Sequence, residues 1–319
     1  MPDDPTPRRV TTAAPAGSHS SWGPGWALGA AVGYAATNAC LRVTAPSVDP
    51  FVGAMLRTVP SMVLAVAWAG LAGYWPRLWR RQPAIFRPLA IVAILYGLTG
   101  NASFQVALAA AGLAISAPVT AGGNLWGGAI AAWLLMGERI TVRSGAGLCL
   151  LLAAIPLLTS GGAGGRGPIW LGVLMAFISG ASFGSGNAVL RRAIVQHGLT
   201  QSEALATLSG ISITILLSMA LVSGGTGSFE TLRLETVAWL LIAGVLGAGA
   251  IASLSKALST MPVSRVTSIS TLQTAIAACL GVVVFEEPLT FWLLVGVALS
   301  VAGSLLAQPR ISTRRRDLR

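Results

Sequence analysis

The chain has 319 residues, 54% of them hydrophobic and 10% charged, with a mean hydropathy of +0.74 and a formal net charge of +11. A soluble domain carries about 25% charged residues. Too few polar side chains are present to cover a water-facing surface, and the composition is that of an integral membrane protein. The positive balance does not indicate nucleic acid, because no basic stripe with interleaved aromatics exists; the arginines stand between apolar segments and in the tails.

Residues 1–24 are rich in Pro, Ser, Thr and Ala and read as a disordered tail. Arg8 and Arg9 are followed by V-T-T-A-A-P-A-G rather than by an apolar core, so this tail is expected to be retained and cytoplasmic. A membrane helix needs about 20 mostly apolar residues. Five such segments fall at 25–44, 50–72, 88–108, 113–136 and 142–160, and five more at 168–190, 203–223, 236–258, 263–284 and 289–307. The expected fold is therefore an all-α integral membrane protein of ten transmembrane helices. Breakers such as Pro46, Pro50, Pro76, Pro83 and the run G-G-A-G-G-R-G-P separate the spans, but the third-to-fourth and eighth-to-ninth connections are nearly seamless. Residues 309–319 form a basic tail.

Ten spans put both termini on one side, and the basic residues choose it. With the N-terminus inside, the inner segments hold 17 of the 21 Lys and Arg residues, and the outer ones hold Arg42, Arg166 and Arg233. Arg57 lies within a span. Positive residues favour the cytoplasmic side, so both termini are expected there. Cys40, Cys149 and Cys279 are far apart and form no metal or disulfide pattern; they read as small buried hydrophobes.

The two halves repeat. Asn38-Ala-Cys-Leu-Arg42 returns as Asn187-Ala-Val-Leu-Arg191, and Glu138-Arg-Ile-Thr141 as Glu287-Pro-Leu-Thr290, both at an offset of 149. Asn124 matches Gln273 at the same offset. Gly97, Ser103, Ala107 and Leu108 match Gly247, Ser253, Ala257 and Leu258 at 150. Each half has an odd number of spans, so the second must enter from the opposite face. The loop after the second span carries four arginines, whereas its counterpart G-S-F-E-T-L-R-L-E carries one Arg and two Glu. Similar sequence with opposite charge decoration is what inverted duplication requires, and such repeats suit alternating access around a midplane site.

Two five-span halves closing on G-E-R-I-T and E-E-P-L-T resemble the EamA family of the drug/metabolite transporter superfamily. The stretches A-L-A-A-A-G-L and A-L-S-T-M-P-V-S-R-V before the fourth and ninth spans are similar to that family too. The resemblance covers about 25–308, with 25–160 and 165–308 as the two EamA-like repeats. It implies a transporter, with relatives that export amino acids, other metabolites and toxic compounds. In place of Glu286 the first copy has Gly137. The expected function is an exporter of small metabolites or amino acids in a bacterial plasma (inner) membrane. A flippase of a lipid-linked or amphiphilic substrate, and a non-transporting sensor or assembly protein, are the alternatives.

Polar residues within spans are scarce and are candidates for substrate contact. They are Asn101 and Gln105 in the third span, Asn124 in the fourth and Gln273 in the ninth, with helix–helix hydrogen bonding as the competing role. Trp126 could line an apolar pocket or pack against lipid. Lys256, the sole lysine, and Arg57 could recognise an anion or extend to the headgroups. Asn38, Arg42, Asn187 and Arg191, with Glu138 and Glu287, are expected as interfacial anchors or gating contacts, and the rim glutamates, including Glu286, as residues that fix loops or cap helix starts. Gly29/Gly33, Gly123/Gly127 and Gly180/Gly184 have the spacing of close helix crossings.

The acidic residues and His19 and His197 lie in tails, loops or span ends, so facilitated diffusion, exchange or rim-coupled antiport is expected rather than a core carboxylate relay. No enzyme motif is present, and no cofactor or metal is expected. The expected partners are a small-molecule substrate and the lipid bilayer, with no nucleic acid. Because the duplication lets one chain supply both halves, a homodimer is compatible with the sequence but not required by it.

Overall fold

The structure is a computed structural model and describes residues 22–71, 85–138, 140–160, 164–223, 227, 229 and 232–308. The two expected tails (apart from residues 22–24), the arginines of the loop after the second span (Arg77, Arg80 and Arg81) and Arg139 lie outside the described residues. Ten helical rods follow in order: α1 Gly23–Thr44, α2 Pro50–Leu71, α3 Phe86–Ala111, α4 Leu113–Met136, α5 Val142–Thr159, α6 Ile169–His197, α7 Gln201–Val222, α8 Leu234–Thr260, α9 as Val263–Ser270 and Leu272–Phe285, and α10 Phe291–Ala307.

Eight of them, α2 to α9, are long and apolar enough to cross a bilayer. Ten such spans were expected, so two fall short. At 17 residues α10 reaches only about 25 Å at 1.5 Å per residue. The other, α1, is rich in Gly, Ala, Thr and Asn, because much of its surface is covered by protein. A Cβ on Gly33 would lie 3.0 Å from Ala250 of α8, and Thr37 stands opposite Gly247.

The interior is built from small residues and the exterior from large ones. Fully buried positions include Ala27, Ala30, Ala31 and Ala35 of α1, Ala107 and Ala111 of α3, and Ala243 of α8. Trp68, Trp133, Leu134, Trp170, Val222, Val283 and Phe291 face outward. In lipid there is no hydrophobic gain from hiding Leu against Leu, and close backbone approach holds helices together instead. The α4–α6 crossing carries this furthest: a Cβ on Gly123, Gly127, Gly180 or Gly184 would sit within 2.5 Å of a partner backbone oxygen. Cys40 is buried, but Cys149 and Cys279 are on the outer surface, which corrects their reading as buried; against lipid an exposed thiol needs no cover.

The most extensive helix pairs are α4–α6, α1–α8, α5–α10, α2–α7, α3–α6 and α2–α8. Each joins a helix from before residue 160 to one from after residue 165, so the two halves are interleaved rather than set side by side.

The connections follow local chemistry. The link between α3 and α4 is the single residue Gly112, at φ +85°. Thr141 caps α5 by accepting from Ser144 N–H, and Thr290 caps α10 by accepting from Leu293 N–H. Thr200 and Glu203 form a reciprocal capping box at the start of α7. Within α3, residues Ile94–Ala102 are π-helical. Such segments are rare and are frequent at functional sites.

Candidate functional site

Two Arg–Glu pairs stand at opposite ends of α4. At its start, Arg42 Nε donates to Glu287 Oε1 at 2.9 Å, and Arg42 Nη2 donates to the Gly164 carbonyl. Glu287 also accepts from the backbone N–H groups of Leu113 and Ala114, both at 2.7 Å. The carboxylate therefore caps α4 and meets the positive end of its dipole. Room for it comes from absent side chains. A Cβ on Gly112, Gly164 or Gly281 would come within 2.3–2.7 Å of Glu287. The Arg42 guanidinium lies 5.7 Å from the Phe285 ring centroid. Both side chains are nearly sealed, at 9% and 2% exposed.

This overturns one reading of Arg42. Expected as an anchor reaching for headgroups, it is instead buried at the junction of α1, α4, α9 and the residues before α6. The counter-charge and hydrogen bonds are supplied within the protein, so no lipid partner is needed.

Past the end of α4, Arg191 Nη1 donates to Glu138 Oε1 at 3.3 Å, with the two side chains 66% and 54% exposed. The 24 residues of α4 separate this pair from the first by about 36 Å. Each Glu follows a residue in the left-handed region, Gly137 at φ 67° and Glu286 at φ 54°.

Between the ends, polar side chains gather on α1, α2, α3 and α6. Tyr34, Asn38 and Arg42 recur every four residues and share one face of α1. Tyr34 stands in the neighbourhood of Arg57 of α2 and Tyr96 of α3. The Tyr96 hydroxyl donates to Asn187 Oδ1 of α6, and its ring meets Phe183 edge-on at 5.8 Å. Gln105 is 3% exposed and neither side-chain atom finds a partner; Asn101 Oδ1 is likewise buried and unpaired. The π-helical turns of α3 display Tyr96 toward α6, where a Cβ on Gly186 would lie 2.5 Å from the Tyr96 ring.

Other sequence candidates go elsewhere. Trp126 donates its Nε1 to the Leu148 carbonyl at 3.0 Å, so its indole ties α4 to α5 rather than lining the interior; a buried indole N–H needs an acceptor and finds one there. Lys256 is exposed and makes no ion pair among the described residues, which removes it from the interior set: it stands one turn from the end of α8. Asn124 and Gln273 are half-buried on α4 and α9, and no hydrogen bond joins them. Sequence reasoning missed Tyr34 and Tyr96. The four-residue spacing of Tyr34, Asn38 and Arg42 could have shown the first; nothing in the sequence signals the π-helix that places the second.

Residues 170–307 match the family described as EamA-like transporter family. This stretch of the second half is similar to the EamA-like transporters. A solved structure titled "Crystal structure of protein" is 23% identical, covers 90% of this chain and 96% of its own, and superposes with a TM-score of 0.54, so the fold is shared across nearly the whole chain. No curated protein matches. With eight helices long and apolar enough to cross a bilayer, the chain is a multi-pass membrane protein whose second half is similar to transporters. The sequence resemblance drawn from the G-E-R-I-T and E-E-P-L-T motifs points to the same family; the second of them, with Glu286 and Glu287, lies inside the matched region.

Proposed function

We propose that this EamA-like chain exports small metabolites or amino acids by alternating access, through a midplane cavity between two inverted five-helix repeats, with both termini in the cytoplasm of a bacterial cell. One observation carries the reading. The Arg and Glu of the first half occur again in the second at an offset of 149, and they pair crosswise: Arg42 with Glu287, Arg191 with Glu138. One crossed pair is buried and the other open, which is the asymmetry that an alternating-access protein holds in any single state. The helix partners support the same symmetry, since exchanging the halves turns the pair α1–α8 into α6–α3. With the N-terminus inside, the open pair faces the cytoplasm, where an exporter loads.

Metabolite profiling tests the proposal. Overexpression and deletion should shift at least one small metabolite of the medium in opposite directions. Bridging Glu138→Cys to Arg191→Cys with a bifunctional maleimide should abolish the shift. An extracellular profile indifferent to both manipulations overturns the reading.

One feature favours the flippase alternative. An apolar groove of about 470 Å³ between α5 and α6, lined by Leu152, Ile155, Trp170, Val173 and Phe177 among others, opens on the outer surface and could hold an acyl chain. Scrambling of fluorescent phospholipids in reconstituted vesicles distinguishes the two.

A further inference from the structure

Arg57 is a half-buried cation without a counter-ion among the described residues. It sits one turn beyond Gly53 on α2, where an added Cβ would lie 2.8 Å from Gln105 Nε2 of α3. Its backbone carbonyl would lie 2.3 Å from a Cβ on Gly244 of α8. The Gly53–Arg57 stretch of α2 thus lies against α3 and α8. Tyr34 lies near it on α1, a helix that packs on α8 rather than extensively on α2. Among the described residues Arg57 makes no ion pair and no side-chain hydrogen bond.

The neighbouring amides are equally unengaged. Gln105, 3% exposed, has both side-chain atoms unpaired, and Asn101, one turn along α3, leaves its Oδ1 unpaired. A buried polar atom without a partner is costly. Groups of this kind persist where a ligand completes them. A guanidinium offers a planar fork suited to a carboxylate, and an amide N–H can share it. One further turn along α3, the Tyr96–Phe183 pair provides an aromatic wall.

The acidic residues of the described chain limit what else the ligand carries. Asp49, Glu138, Glu203, Glu235, Glu286 and Glu287 all lie at helix starts or in loops. Among the described residues none of them pairs with Arg57, Gln105 or Asn101, so no carboxylate is placed there for an ammonium group.

We propose that Arg57, Gln105 and Asn101 form a carboxylate subsite, and that the cargo crosses as an amphipathic monocarboxylate anion rather than as a zwitterion or a cation. This rests on the transporter reading above and narrows its cargo.

The probes are benzoate and N-acetylleucine, their neutral counterparts benzamide and N-acetylleucinamide, and zwitterionic leucine, titrated against the full chain in nanodiscs. Wild type should bind at least one carboxylate tenfold or more tightly than its amide, and more tightly than leucine. Arg57→Gln should erase that preference, and Arg57→Lys should keep part of it. Should Arg57→Gln not fold, Gln105→Leu carries the test, with an expected loss of about fivefold for the carboxylate and none for the amide. A preference that survives both substitutions, or that wild type lacks, overturns the subsite. Flux in proteoliposomes separates this from the parent reading. Carboxylate binding without flux removes the exporter and leaves the subsite; flux of the neutral probes with no carboxylate preference does the reverse.

Discussion

The two ends of α4 hold the same residue types in different solvents. At one, Glu287 is gripped by Arg42, two helix N–H groups and a cage of three glycines. At the other, Glu138 meets Arg191 in the open, with a longer contact and no backbone donor among the described residues. An ion pair is therefore not a fixed quantity of adhesion. In the sealed end its partners cannot separate without stranding a charge; in the open end water replaces either one at little cost.

Thermal unfolding of single variants tests that contrast. Glu287→Gln leaves Arg42 buried without a counter-charge and should cost about 3–5 kcal/mol, whereas Glu138→Gln should cost less than about 1 kcal/mol. Equal losses would break the comparison. Next in size is Gly112→Ala, where φ is +85° and the new Cβ would lie 2.5 Å from Glu287 Oε1. A loss of about 2–3 kcal/mol is expected from strain and displacement together. Its foil is Gly137→Ala, which meets open space and should cost about 1 kcal/mol through backbone strain alone. Thr141→Ala and Thr290→Ala remove one N-cap each at α5 and α10, and both should cost about 1 kcal/mol. A large inequality between them would mean that the sealed end stiffens more than its ion pair. The smallest effect has the opposite sign. Glu286→Gly relieves a left-handed non-glycine residue and should raise stability by about 1 kcal/mol.

Much of this fold can be read in the residues, because lipid imposes simple rules. Long apolar runs gave the ten helices, and the nearly seamless third-to-fourth connection proves to be one glycine. Glycine spacing at 123/127 and 180/184 announced a close crossing, since only an absent Cβ lets backbones approach so far. The site was less legible. Asn101 and Gln105 stand out as amides in apolar text, but their neighbour Arg57 looked equally suited to the headgroups. Which face of α2 turns inward depends on Gly244 and Gln105, far away in the chain. Trp126 and Lys256 each kept two readings in the sequence for the same reason: composition puts a residue in a helix, and only packing chooses its direction. The burial of Arg42 needs Glu287, 245 positions later, together with three glycines that no local pattern connects.

The interleaving of the halves has a consequence for biogenesis. The glycine face of α1 finds its partner in α8, with Gly33 against Ala250. Arg42 likewise enters the membrane long before the glutamate that neutralises it has been synthesised. During translation the early helices must therefore wait in the bilayer, unsealed, for the last third of the chain. A product truncated before Glu287 would keep its early helices yet hold an unpaired guanidinium. The same residue that closes one end of the finished molecule thus also reports that the chain is complete.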